Sequence, residues 1–183
     1  MTRVYYTELP SPIGPLLLAG DGTALTTIAL PSPAGPLPPE PDWTPDPAPL
    51  AHAAAQLEAY FAGALRDFDL PLAPAGTPFQ QRVWAALREI PYGETASYAA
   101  VARRIGHPAA VRAVGSANGR NPIPIVIPCH RVIGADGRLV GYGGGLAAKE
   151  ALLALERRVA RSGAVASRAT QAASGTAQAA LFP

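Results

Sequence analysis

Proline is the strongest constraint on what this chain can fold into: 21 are spread through its 183 residues and interrupt almost every apolar run. Proline donates no backbone N–H and breaks helix interiors, so regular elements must be short wherever prolines recur. Residues 31–49 are the extreme case, with proline at about every second position, and they read as a loop or extended connector. Glycines and charges break the remaining runs, and nothing approaches the roughly 18 consecutive apolar residues of a membrane-spanning helix. The start, Met1 to Glu8, carries one basic residue with no long apolar stretch behind it and does not read as a signal peptide. A soluble, cytoplasmic protein is the expectation. Its 49% hydrophobic and 15% charged residues are those of a globular chain with a real core.

Between the prolines, local patterns predict the elements. Ile13–Ala19 and Ala24–Leu30 flank Gly20-Asp21-Gly22-Thr23, a β-hairpin pattern in which Asp-Gly supplies the positive φ angles of the turn. A helix is predicted from about Pro49 to Ala62, with Leu50, Ala54, Leu57 and Phe61 on one face and Gly63 as its stop. A short strand over Phe68–Leu70 would close a small α+β domain of residues 1–73. Pro71 to Gly76 reads as a linker into a second domain, residues 74–160. Thr77-Pro78-Phe79-Gln80 opens its first helix: Thr77 can cap, Pro78 fits the first turn and Gln80 completes a capping box. Phe79, Val83, Leu87 and Ile90 then share a core-facing side. Residues 121–145 are dense in Pro and Gly, a last helix is predicted over Leu146–Val159, and residues 161–183 read as a disordered tail.

Charge divides along the same line. Residues 1–75 hold two Arg against eight Asp/Glu, a net −6, whereas residues 76–160 hold eleven Arg/Lys against five acids, a net +6. An acidic half joined to a basic half suggests that the second faces a polyanion; scatter over a solvated surface is the plainer alternative. The basic half also carries two short predicted helices, Ser97–Arg104 and one from Pro108 through Asn118, across the turn Ile105-Gly106-His107-Pro108. This matches a helix-turn-helix, although helical hairpins are common in cores too.

The single cysteine, Cys129, cannot form an internal disulfide. A lone cysteine is usually a small buried hydrophobe, but this one follows Pro128 and precedes His130 and Arg131. Nearby positive charge or a base favours the nucleophilic thiolate. His130 can take the proton, directly or through one water, if the backbone turns sharply after Pro128; on a straight strand the two side chains would point apart. Such a base needs an orienting carboxylate. Glu156 and Glu150 both lie on the last predicted helix, and spacing alone does not separate them.

Pro128-Cys129-His130-Arg131-Val132 resembles the active-site motif of the O6-alkylguanine-DNA alkyltransferases. Phe79 to Trp84, Ile90 to Thr95, Ser97-Tyr98, Arg112 to Gly115, Asn121-Pro122 and Gly141 to Gly145 are similar to further family blocks in family order, and Ser11 to Leu16 resembles the family's amino-terminal strand. The likeness covers essentially residues 4–158. It implies a two-domain α/β fold: a small N-terminal RNase H-like α+β domain, then a mainly helical winged-helix/helix-turn-helix DNA-binding domain carrying the cysteine.

The resemblance also implies an activity. Cys129 would take the alkyl group from an O6-alkylguanine flipped out of double-stranded DNA, once and irreversibly, with no cofactor. His130 would deprotonate it through a bridging water, Glu156 would orient His130, and Asn121 would hold the loops around the cysteine. Tyr98, Val132, Tyr142, Gly143 and Lys149 would bind the substrate. Arg112 would fill the gap left by the extruded base, with Thr95, Ser97, Ala113, Gly115, Ser116 and Arg131 also on the DNA side. Some relatives carry serine at the position of Gly143, where only a backbone contact survives. Some bind zinc in the amino-terminal domain; this chain lacks a plausible ligand set there, so no metal is expected. The resemblance implies a monomer, and leaves open cooperative assembly on DNA and a minor activity on O4-alkylthymine. Two other functions fit parts of the pattern: a lesion-binding relative without transfer, in which the cysteine is replaced, and a Cys-His-Glu hydrolase, which leaves the basic helix-turn-helix without purpose.

Overall fold

The computed structural model describes residues 3–31 and 37–177. Three antiparallel strands, β1 (Tyr5–Leu9), β2 (Leu16–Gly20) and β3 (Leu25–Ala29), are joined by β4 (Thr44–Pro45), parallel to β1, in the order β3-β2-β1-β4. The β2–β3 hairpin is the one the sequence predicts. Its turn is closed by Asp21, whose Oδ1 accepts from the backbone N–H of Thr23 at 2.8 Å and of Ala24 at 2.9 Å. Strand β1 was not legible as a strand. Part of the proline-rich stretch returns to the sheet as β4, while residues 32–36 of it lie outside the described residues.

Helix α1 (Ala51–Phe61) packs Leu57 and Tyr60 completely into the core, and Gly63, at φ 75°, ends it. The strand expected at Phe68–Leu70 does not form. Gln56 captures that backbone instead: its Oε1 accepts from Asp69 N–H and its Nε2 donates to Asp69 C=O, both at 2.9 Å. The chain meets the sheet two residues later, where Leu25 N–H donates to Pro71 C=O and Ala73 N–H donates to Leu25 C=O. The stretch read as a linker therefore runs along the sheet edge.

Helix α2 (Pro78–Arg88) starts as predicted. Thr77 Oγ1 accepts from Gln80 N–H, and Gln80 Oε1 accepts from Thr77 N–H. Val83, Leu87 and Ile90 are buried, and so is Trp84, whose Nε1 donates to Ala117 C=O. Against α2 lie α3 (Tyr98–Arg104) and α4 (Val111–Gly119), the expected pair of short helices. Two short parallel strands, β5 (Ala96–Ser97) and β6 (Val132–Ile133), tie the start of α3 to the segment after Cys129.

The last helix, α5, runs Gly145–Ala177, well past Val159 and through much of the stretch expected to be a disordered tail. No proline occurs between Pro128 and Pro183, and alanine, the best helix former, recurs throughout. Leu181 and Phe182 lie outside the described residues.

Candidate active site

The loop between α4 and Cys129 is held from within. Asn121 Nδ2 donates to Ile127 C=O at 2.8 Å, while its Oδ1 accepts from Ile123 N–H at 3.0 Å. One side chain thus spans the proline-rich run. Inside that span Ile125 sits at φ 76°, a conformation that β-branched residues rarely adopt. The loop is also tied to the sheet, since Ile28 N–H on β3 donates to Pro122 C=O at 2.8 Å. After Pro128, Cys129–Arg131 form one turn of 3-10 helix. This is the sharp turn the sequence argument required, and it removes the opposed geometry of a straight strand.

Cys129 is buried, 5% exposed, yet lines a cleft of about 300 Å³, mouth included, with Leu30, Asn118, Asn121, Tyr142 and Gly143. Burial pushes its thiol up to about 11, against the opposing pull of Asn121, Lys149 and the N–H groups of residues 129 and 130. The sulfur is therefore a protonated thiol at rest, where the sequence argument favoured a thiolate. Nearby positive charge is present but does not outweigh desolvation.

His130 and Glu156 are both fully buried, and His130 Nε2 lies 2.7 Å from Glu156 Oε1. Burial lowers the affinity of His130 for a proton, while the Glu156 carboxylate works to raise it. The other ring nitrogen, Nδ1, is buried with no protein partner. Glu150 is exposed, which settles the choice between the two glutamates. Burial alone would raise the Glu156 carboxyl, but hydrogen bonds and charge from His130 and Arg131 hold it at about 2. It is an anion well into the acid range.

Glu156 collects more partners than the sequence reveals. Arg131 donates through Nε to Oε2 at 2.9 Å and through Nη2 to Oε1 at 3.0 Å, and its Nη1 donates to Ile90 C=O at 2.6 Å. Arg131, expected on the DNA side, is thus buried in an ion pair and turned away from any phosphate. The pairing with a carboxylate that must stay charged holds it inside. Tyr60 on α1 donates to Oε1 at 2.8 Å, and Gly93 N–H donates to Oε2 at 3.0 Å. Gly93 lies at φ 81°, and a Cβ there would come within 2.9 Å of Ala160. That close approach brings the donor to the carboxylate.

Lys149, expected to touch substrate, is a buried strap instead. Its Nζ donates to Val132 C=O at 2.6 Å and Val140 C=O at 2.8 Å, with Gly141 C=O at 3.5 Å. Three donors on three carbonyls leave none for a ligand, and the strap holds the glycine-rich loop beside β6. Tyr98, half-buried, donates its hydroxyl to Val140 C=O at 3.3 Å and lies against Gly115 of α4. Tyr142 points inward, its hydroxyl buried and unpartnered; Gly143 is exposed at the cleft. Asn118, missed in the sequence, lines the same cleft with a buried, unpartnered Oδ1.

On the other side of α4, Arg112, Ala113, Ser116 and Arg120 are exposed along one helix face. Ser97 caps α3, its Oγ accepting from Ala100 N–H at 3.1 Å, and Thr95 is half-buried beside it. Gly115 faces back onto Tyr98 rather than outward. Among the described residues there is no group of three or more His, Cys, Asp or Glu able to hold a metal, and no helix long and apolar enough to cross a membrane.

Known proteins resemble this chain across both of its halves. Residues 4–74 match the family described as 6-O-methylguanine DNA methyltransferase, ribonuclease-like domain, and residues 78–158 match its DNA-binding domain. The methylated-DNA–protein-cysteine methyltransferase of Mycobacterium tuberculosis is 56% identical over 154 residues, spanning 84% of this chain and 93% of that protein. The protein of that name from Methanosarcina acetivorans is 53% identical over 153 residues, spanning 84% and 98%. The crystal structure of M. tuberculosis O6-methylguanine methyltransferase superposes with a TM-score of 0.77 at 56% identity, over 85% of this chain and 93% of that one. The structure of M. tuberculosis OGT in complex with DNA gives 0.79 at 55% identity, over 85% and 94%. With both domains matched and relatives more than half identical over most of their length, this chain belongs to the 6-O-methylguanine DNA methyltransferase family.

Proposed function

We propose that this protein repairs DNA by moving an alkyl group from O6 of guanine onto Cys129, once per molecule. One observation carries the reading: Cys129 opens onto a cleft while the imidazole of the next residue is locked on a buried carboxylate and keeps its second nitrogen unpartnered. The relatives named above as methylated-DNA–protein-cysteine methyltransferases support it.

The roles follow from the chemistry of each group. His130 Nδ1 receives the thiol proton through one water as the sulfur attacks, so the nucleophile is generated only in the reaction. The S–C bond forms as the C–O6 bond breaks, and the electron pair returns to the guanine oxygen. Tyr98 exchanges its long hydrogen bond to Val140 C=O for one donated toward the ring while negative charge builds there. The proton taken from sulfur ends on guanine, leaving an S-alkylcysteine and an intact base. A thioether is not reversed by thiol–disulfide exchange, so the event is single-use and needs no cofactor. Glu156 orients His130 and balances its charge. Asn121 holds the cysteine loop, and Asn118 and Tyr142 offer free polar atoms to the guanine edges. Lys149 acts at one remove, by fixing the loop that carries Gly143.

A base paired inside a duplex is out of reach, so the nucleotide must be extruded at a cost of a few kcal/mol. We assign Arg112 as the side chain that fills the gap, and the exposed face of α4 as the contact with phosphates. Two units, residues 1–73 and 74–160, divide the work: the first supports, the second reads DNA and reacts. The cytoplasm, where thiols stay reduced, is the compartment this reading assigns, and a monomer is the acting form.

Mixing the protein with duplex DNA carrying isotope-labelled O6-methylguanine tests the proposal. The label should move onto the Cys129 peptide, saturate at one equivalent and vanish in Cys129→Ser. Binding without label transfer would indicate a lesion sensor, and turnover beyond one equivalent a hydrolase; either result removes the proposal.

A further inference from the structure

We propose that Tyr60, on α1 of the N-terminal region, is a positioning residue for alkyl transfer: its hydroxyl shares Glu156 Oε1 with His130 and so limits how strongly that carboxylate holds a proton on the imidazole. The inference rests on the reading that Cys129 is activated through His130.

The geometry is specific. Tyr60 is fully buried, its ring centroid 5.4 Å from Phe61, 5.4 Å from Phe68 and 6.0 Å from Tyr92, so the aromatic packing fixes where its hydroxyl points. Three donors converge on Oε1: Tyr60 Oη at 2.8 Å, His130 Nε2 at 2.7 Å and Arg131 Nη2 at 3.0 Å. Burial first, and then the charge of Glu156, push the Tyr60 phenol far above its usual range, so it acts only as a neutral donor.

Each hydrogen bond given to a carboxylate disperses its charge and makes it less basic. Removing one of three donors from Oε1 returns charge to that oxygen. His130, the proton-sharing neighbour, then binds its proton more tightly. The other groups facing the pair stay in place: Arg131, Lys149 and Cys129 around His130, and Arg131, Tyr92 and Tyr142 around Glu156. A buried tyrosine of merely structural value would need a partner as well, but its loss would not move the titration of His130.

Tyr60→Phe in the full chain separates the two, because it keeps the ring packing and removes only the hydroxyl. Single-turnover transfer from an O6-methylguanine duplex is followed across the range in which histidine titrates. The acid limb of the variant should move to higher pH: transfer slows several-fold along that limb and approaches the wild-type rate on its alkaline side. The ring signals of His130 in NMR should titrate at correspondingly higher pH. Uniform slowing at all pH values, an unchanged profile or a shift toward lower pH would overturn the assignment. If the wild-type protein leaves no alkyl group on Cys129, the underlying reading fails, and the imidazole titration still decides whether Tyr60 tunes His130.

Discussion

The two halves of the molecule are stabilised by different means. In the sheet and α1, the fully buried side chains include Leu16, Leu18 and Leu57, and the acidic residues stay out of that core. Around Cys129, by contrast, His130, Arg131, Lys149 and Glu156 are all buried together. An apolar core gains from every methylene it hides, whereas a buried ion pair seldom repays its desolvation relative to well-packed hydrophobic side chains. The contrast teaches that the second half keeps a buried charged network at a cost in stability that the apolar core offsets, and on the proposed function that network serves proton movement. The two designs meet at Tyr60, which has its ring in the aromatic cluster and its hydroxyl on Glu156.

The largest effect should come from Glu156→Ala. It strands Arg131 and His130 without their carboxylate, costing roughly 3–5 kcal/mol in chemical denaturation and slowing single-turnover transfer by about 100-fold or more. Leu16→Ala, in the apolar region, should cost about 2–5 kcal/mol yet leave the transfer rate of the folded protein unchanged; a slower rate would break the proposed separation of roles. Acid sharpens the same contrast. Glu156 titrates at about 2 in the fold against an ordinary 4.5. Its contribution is present above pH 4.5 and is lost as pH falls through about 2, a drop of roughly 3 kcal/mol by linkage. Denaturation curves taken across that window should show the loss in wild type and little of it in Glu156→Gln.

Smaller effects probe the surface. Arg112→Ala should weaken repair of duplex DNA by about 1–3 kcal/mol, while reaction with free O6-methylguanine base is unaffected. Equal loss on both substrates would argue against a wedge. Thr77→Ala removes one capping partner at the start of α2 and should cost about 1 kcal/mol of stability, with transfer intact.

What the sequence revealed, and what it hid, follows from the range of the interactions. The hairpin around Asp21, the capping box of Thr77 and Gln80 and the pair α3–α4 are local patterns, written within a few consecutive residues. The motif around Cys129 and the Asn121 clamp were legible from the resemblance, and the structure brings those residues together. The missed features are long-range. Arg131 looks like surface charge until Glu156, 25 positions away, is seen to pair with it, and Tyr60 meets Glu156 across 96 positions. Lys149 finds its carbonyls only after the loop of residues 132–141 has folded over it. One signal was available: Tyr60 stands one helical turn after Leu57, on the same buried side of α1. The strand expected at Phe68–Leu70 failed because a side chain, Gln56, satisfied the backbone first.

The central claim is that a thiol kept protonated by burial becomes a nucleophile only because His130, set by Glu156, takes its proton. Single-turnover alkyl transfer to Cys129 in His130→Gln measures this most directly. The account predicts slowing by about 100-fold or more, with binding to alkylated duplex preserved. Transfer at an undiminished rate would contradict it and make the buried network a structural feature alone.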